Sequence, residues 1–273
     1  MKIDSVHYET FKKGSKTYFN SSIFFPNEVR KDVFILYGFV RVADNFVDAV
    51  PPDSEHFYAF RDKYRKAIQG EVTGDVIIDD FVDLMERKHF RQEWVDAFLR
   101  SMEMDLEKSE YNTLDETLAY IYGSAEVIGL FMASILGLPE DSFHAARMLG
   151  RSMQFINFIR DIKEDLELGR RYIPLTGSSL SSLRKEETEA NPEEFIHFHR
   201  MQIDMYKQWH AEAEKGYRYI PRRYLIPIKT AEDMYLWTAD KIAEDPFIVY
   251  EKKVKPSKLR IIFQIIRNTI SVR

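Results

Sequence analysis

Residues 143–169 read FHAARMLGRSMQFINFIRDIKEDLELG, the longest continuous helical pattern in the chain. Apolar side chains recur every three or four positions, no proline interrupts them, and Gly169 follows as a residue suited to close a helix. Asn157, Asp161 and Asp165 stand four apart, which stacks one amide and two carboxylates on a single helix face with Glu164 beside them. Stacked like charges cost a few tenths of a kcal/mol per pair on an isolated helix, so this row calls for a compensating partner.

The same reading extends outward. After Pro26, Asn27 is a candidate N-cap, and Val29, Val33, Leu36, Tyr37 and Val40 recur at helical spacing until Pro51-Pro52. Further helices are predicted over 54–69, 75–87, 92–109, 114–138, 193–219, 225–243 and 257–268. Gly123, Gly129 and Gly137 mark candidate points of close helix packing, and 176–192 reads as an exposed connection. No segment alternates strongly enough to demand a sheet, so the expected fold is all-α, one domain over residues 1–273.

Composition agrees. The 273 residues are 45% hydrophobic with 11 glycines, enough apolar material for a sizeable helical core. A formal net charge of −5 argues against bulk nucleic-acid binding. With no cysteine, disulfides, thiolate nucleophiles and thiolate metal sites are excluded. The N-terminus lacks an apolar signal core, and the apolar run 127–138 is shorter than the ~20 residues that cross a bilayer, so a cytoplasmic protein is expected.

A second acidic row lies in the first long helix, where Asp44 and Asp48 share a face with Tyr37 and Arg41. Spacing alone does not make it a site, because Asp75, Asp79 and Asp83 repeat it in what reads as a solvated face. The difference is setting: Asp44 and Asp48, like Asp161 and Asp165, sit in long apolar helices, where carboxylates need partners. Mg²⁺ with a bridging diphosphate would satisfy two facing rows. Arg41, Arg160, Arg170 and Arg171 lie near them and could grip phosphate oxygens, or could simply pair with the aspartates.

These residues form a recognisable series. Ser15-Lys16-Thr17-Tyr18-Phe19, the segment Leu36–Asp48, Met104-Asp105-Leu106, the segment Tyr120–Gly129, the segment Asn157–Asp165 and Gly169-Arg170-Arg171-Tyr172-Ile173-Pro174 resemble, in order, the motifs of the squalene/phytoene synthase family. The resemblance covers nearly the whole chain and implies an isoprenoid-synthase-type helical bundle around a central cavity. It implies head-to-head joining of two prenyl diphosphates through a cyclopropyl diphosphate, with motif wording closer to the phytoene branch, which uses geranylgeranyl diphosphate. Squalene or dehydrosqualene formation from farnesyl diphosphate is the alternative, with NADPH needed only for squalene.

Carried over by position, Asp44, Asp48, Asn157, Asp161 and Asp165 would hold Mg²⁺, with Mn²⁺ as the alternative ion. Tyr120 joins the four aspartates as a catalytic candidate. Ser15, Lys16, Arg41, Asn157, Arg160, Arg170, Tyr235 and Lys253 would contact substrate. Asn45 departs from the family's first motif, and Glu126 stands where relatives carry glycine, either as a solvated residue or as a change to the cavity wall. Phe131, Met132, Ile135, Phe155, Ile156 and Phe158 are candidate walls for the isoprenoid tails, or ordinary core.

Two other readings compete. A di-metal carboxylate bundle would use Glu86/His89 and Glu194/His197. A non-catalytic scaffold of the same fold would have lost its acidic motifs, which this chain keeps. Finally, 251–273 is basic, with an apolar stripe of Leu259, Ile262, Phe263 and Ile266. It reads as the last helix of the bundle or as a peripheral membrane contact.

Overall fold

The computed structural model describes residues 4–14, 22 and 25–272. Among them the secondary structure is helical, with no β-strand and one isolated bridge between Glu110 and Arg171. The helices are α1 (Ser5–Gly14), α2 (Asn27–Val47), α3 (Ser54–Ala67), α4 (Val76–Lys88) and α5 (Gln92–Glu107). Then come α6 (Leu114–Ile121), α7 (Val127–Ile135), α8 (Phe143–Arg160), α9 (Ile162–Glu167), α10 (Lys185–Ala190) and α11 (Pro192–Glu214). The chain closes with α12 (Arg222–Glu244), α13 (Ile248–Glu251) and α14 (Lys258–Ser271).

Two apolar clusters fill the bundle. One is built from α1–α5 and α7, around the stacked rings of Phe39 and Phe81, whose centroids are 3.8 Å apart. The other gathers α6, α8, α11, α12 and α13 around Phe155, Phe195, Phe198 and Tyr206. Between them runs the helix Leu114–Ile135, 22 residues long. It is apolar and long enough to cross a membrane, unlike the shorter run read from sequence, but here it is a core helix with Tyr120, Ile121, Val127, Leu130 and Phe131 buried.

Its middle turn, Tyr122–Glu126, is π-helical. The widened turn carries Gly123 against α5 and leads into Gly129 against α8, where added Cβ atoms would meet the carbonyl oxygens of Ala97 and Ala146 at 2.0 and 2.1 Å. Close packing is therefore met at both. Gly137 corrects that expectation: it has φ +67° and open space around it, and serves to turn the chain after α7.

Other boundaries move for identifiable reasons. Pro26 caps α2 without a side-chain bond, so Asn27 lies inside the helix. Helix 143–168 breaks at Asp161 (φ −102°, ψ 16°), although the amide of Asp161 still bonds the Asn157 carbonyl and that of Asp165 the Asp161 carbonyl. The 176–192 connection contains α10 and buries Leu180 and Leu183, so it is part of the packed structure. α1 was not anticipated; its buried Phe11 stacks on Tyr37 of α2 at 4.0 Å.

Candidate active site

α2 and α8 bring Asp44 and Asn157, the first residues of the two acidic rows, into the lining of a cavity of about 630 Å³. Tyr37, Arg41 and Asp44 line it from α2, and Gln154 and Asn157 from α8. Along α8 the lining continues back to Ala145, about 18 Å away at 1.5 Å rise per residue. Beyond the polar end the walls are largely apolar, including Ile128, Met132, Leu136, Leu149 and Ile228.

Of the six wall candidates, Met132 alone lines this cavity. Phe131 packs on Phe90, Phe155 on Trp209, and Phe158 stacks on Tyr172 at 4.3 Å, while Ile135 and Ile156 are core. The space is opened instead by small residues: Ser124, Ala125, Gly129, Ala133, Ala145, Ala146 and Gly150. Gly150 also lets α8 approach the π turn, since a Cβ there would lie 2.2 Å from the Ala125 carbonyl oxygen.

The two rows meet through Arg170. Gly169, at φ +74°, turns the chain so that the Arg170 amide bonds the Asp165 carbonyl at 2.7 Å, closing α9 in the manner expected of a C-terminal glycine. From that position the Arg170 guanidinium donates to Asp48 Oδ1 and to the Val47 carbonyl, both at 2.9 Å. Arg41 donates to Asp44 Oδ2 at 2.6 Å, and Arg160 forms a two-point bond with Asp161 at 2.7 and 2.6 Å. Lys253 approaches Asp161 to 3.1 Å and also pairs with Glu164. Tyr235 lies near enough to Arg160 to influence its charge.

The structure thus gathers Asp44, Asp48, Asn157, Asp161, Asp165, Arg41, Arg160, Arg170, Tyr235 and Lys253. Ser15 and Lys16 lie outside the described residues. Arg171 turns away to bond the carbonyls of Tyr111 and Ile173 at 2.9 and 3.0 Å. Asn45 is exposed, one step around α2 from the row.

Sequence reasoning passed over Asp105 and Tyr172 as functional residues. Tyr120 donates to Asp105 Oδ2 at 2.7 Å and Tyr172 to Oδ1 at 2.8 Å, so both carboxylate oxygens are held. Tyr111 stacks on Tyr172, which completes an aromatic enclosure. Burial pushes the Asp105 carboxyl up to about 6, and burial with the adjacent Asp105 charge raises Tyr120 well above the ordinary phenol range. Tyr120 therefore stays a hydrogen-bond donor. The Met104-Asp105-Leu106 motif was the available signal for this carboxylate.

Burial and repulsion from Asp48 push Asp44 up to about 6, while burial and Asp161 push Asp165 up to about 8. Both sites favour added positive charge. Among the described residues, no three His, Asp or Glu side chains converge as a metal cage; arginine and lysine occupy the carboxylates of Asp44, Asp48 and Asp161. The donor set nevertheless fits a hard divalent cation. Oxygen ligands abound, and the Asn157 Oδ1 at the cavity is buried with no hydrogen-bond partner.

The competing di-metal reading fails on placement. His89 ends α4 in the left-handed conformation, and Glu194 is engaged by the Ser179 amide at 2.9 Å. Glu126 is not solvated. It is fully buried and accepts from Arg147 at 2.8 Å and Arg151 at 2.6 Å, which fixes the π turn behind the cavity wall.

Comparison with known proteins agrees with this geometry. The family described as Squalene/phytoene synthase matches residues 11–260. The 15-cis-phytoene synthase of Paracoccus sp. (strain N81106 / MBIC 01143) is 27% identical over 263 residues, covering 92% of this chain and 85% of its own. That of Pantoea ananas is 27% identical over 241 residues, covering 83% and 78%. Among solved structures, squalene synthase HpnC from Alicyclobacillus acidocaldarius superposes with a TM-score of 0.80 at 20% identity, covering 89% of this chain and 93% of its own. A dehydrosqualene synthase in complex with ligand also reaches 0.80, at 18% identity, covering 97% and 94%.

Proposed function

The chain belongs to the squalene/phytoene synthase family, and from that premise we propose that it joins two geranylgeranyl diphosphates head to head to give phytoene. The observation that carries this reading is the cavity, largely apolar along α8, with Asp44 of one acidic row and Asn157 of the other in its polar lining. Relatives named 15-cis-phytoene synthase, aligned over most of the chain, support the C20 substrate.

In the reaction, the C–O bond of one substrate breaks and diphosphate leaves with the electron pair. The double bond of the second substrate attacks the allylic cation, and loss of a proton closes a cyclopropane. The second C–O bond then ionises, the skeleton rearranges, and loss of a second proton gives the triene-cored C40 product. Two diphosphates are released and no reductant is consumed.

Asp44, Asp48, Asn157, Asp161 and Asp165 would hold Mg²⁺, or Mn²⁺. When bound, the ion supplies positive charge that stabilises the departing diphosphate. Arg41, Arg160, Arg170 and Lys253 add fixed cations around the same oxygens, and guanidinium forks orient them. Tyr120 and Tyr172 keep Asp105 in place beside Arg170. The apolar walls bind the tails and keep water from the cation. Cytoplasmic location, with peripheral membrane contact through the basic C-terminal segment, is part of the same proposal.

The test is product identification. Purified protein with Mg²⁺ and C20 diphosphate, without NADPH, is expected to yield phytoene. A C30 hydrocarbon from C15 diphosphate in its place would move the assignment to dehydrosqualene, or to squalene if NADPH is required. Folded protein giving no hydrocarbon would favour the scaffold reading.

A further inference from the structure

α14 is mounted in the opposite sense to a core helix. Its inner face is joined to α12 largely by polar groups. Asn268 is buried and donates to Asp233 Oδ2 at 2.7 Å and Thr230 Oγ1 at 3.1 Å, while Gln264 donates to Asp233 Oδ2 at 2.6 Å. Arg222 of α12 caps the helix end through the carbonyls of Thr269 and Val272 at 2.6 and 2.7 Å. Ordinary surface helices turn the apolar stripe inward and the polar face to water.

The outer face carries Leu259, Ile262, Phe263, Ile266 and Ile270, which are 80%, 53%, 67%, 54% and 77% exposed. At about 100° per residue these five fall within one stripe roughly 100° wide. Every exposed Ile and Phe among the described residues lies on it. Because the inner bonds fix the rotation of the helix, the exposure is built into the fold. A continuous apolar stripe of this kind marks an interaction surface.

Charge selects the occupant. Arg260 and Arg267 fall on one flank of the stripe by helical position, and Lys258 on the other. Residues 252–272 contain six Lys and Arg and no Asp or Glu, in a chain whose formal net charge is −5. An apolar stripe edged by cations matches an anionic lipid surface, with side chains among the acyl chains and cations at the headgroups.

We propose that the outer face of α14 docks the protein on bilayers containing anionic lipid, with Phe263 and Ile266 midway along the inserted stripe. This deepens the membrane contact proposed above. α12 stands between the two surfaces: Ile228 and Ala231 face the cavity, while Thr230 and Asp233 bond α14. The lipid surface therefore lies one helix away from the apolar cavity.

Vesicle flotation of the full chain, without prenyl substrate, tests this independently of the assigned chemistry. Wild-type protein is expected to float with phosphatidylcholine vesicles containing phosphatidylglycerol and to stay behind with phosphatidylcholine alone. Phe263→Asp/Ile266→Asp should lower binding at least ten-fold with an unchanged melting temperature. Lys258→Glu/Arg267→Glu should lower it by roughly five-fold per lost cation at low salt, and this second variant keeps the test valid if the first fails to fold. Undiminished flotation of both variants would overturn the proposal, as would failure of the wild type to bind anionic vesicles. A lipid-free dimer in sedimentation equilibrium, abolished by Phe263→Asp/Ile266→Asp, would assign the face to a second copy instead.

Discussion

Asp44/Asp48 and Asp75/Asp79/Asp83 share one spacing and differ in what surrounds them. In the second ladder the carboxylates complete local structure. Asp75 caps α4 by accepting from the Ile77 amide, and Asp79 accepts from the Thr73 hydroxyl and the amides of Thr73 and Gly74. Asp83 pairs with Arg87 on the same helix. The solvated face expected there is thus a set of caps and a local ion pair. In the site rows, local pairs such as Arg41–Asp44 and Arg160–Asp161 are joined by partners from elsewhere: Arg170, 122 residues away, bonds Asp48, and Lys253 approaches Asp161. Carboxylates that accept from backbone amides, as Asp75 and Asp79 do, hold up a helix, whereas Asp44, Asp48 and Asp161, paired with cationic side chains, can exchange these partners for a ligand.

That contrast can be tested at several scales. Asp44→Ala and Asp161→Ala should each lower product formation by about 10²–10³-fold or more, the range found when one electrostatic contact of a transition state is removed. Asp79→Ala should leave it within two-fold, as a rate assay with C20 diphosphate will show. Gly150→Val should cost roughly 1–3 kcal/mol in denaturant unfolding, since its side chain must displace the Ala125 backbone. Asp75→Ala should cost about 1 kcal/mol, the usual worth of a cap, with activity retained.

Asp165, from the acidic row 157–165, and Asp79 should also titrate in opposite senses. Asp165 is pushed up to about 8 by burial and by Asp161, so its contribution to stability is full below about 4 and is lost as pH rises through 8. Slight burial works against Asp79, but the Thr73 hydroxyl and the amides of Thr73 and Gly74 hold it below the usual carboxylate range. Its contribution is present above about 4 and is lost as pH falls. In metal-free protein, Asp165→Asn should flatten the fall in melting temperature between about pH 4 and 8, and Asp79→Asn should flatten the acid limb below about pH 4.

Much of this was legible in the chain. Helical period, caps and proline breaks placed most long helices, and the motifs placed the aspartates on the faces that meet. What escaped depends on contacts between distant segments. Nothing local marks Tyr122–Glu126 as a π turn, and its close contacts, Gly123 against α5 and Ala125 against Gly150 of α8, lie with other helices. The choice between cavity wall and core stays open in the sequence for a related reason. Phe131 and Phe155 prove to be core, and space inside this close-packed bundle appears where small residues face one another, as at Ala145 and Gly150. The motif around Asp105 gives that carboxylate no role, since its two tyrosine donors lie 15 and 67 residues away. Ser15 and Lys16 lie outside the described residues.

The central claim is that the facing rows bind a divalent ion and diphosphate together. Calorimetric titration of inorganic diphosphate into protein with Mg²⁺ tests it most directly, comparing wild type with Asp44→Ala, Asp161→Ala and Asp79→Ala. Saturable, Mg²⁺-dependent binding in the wild type and Asp79→Ala, lost in Asp44→Ala and Asp161→Ala, is the predicted result. Equal binding by all four proteins would contradict it.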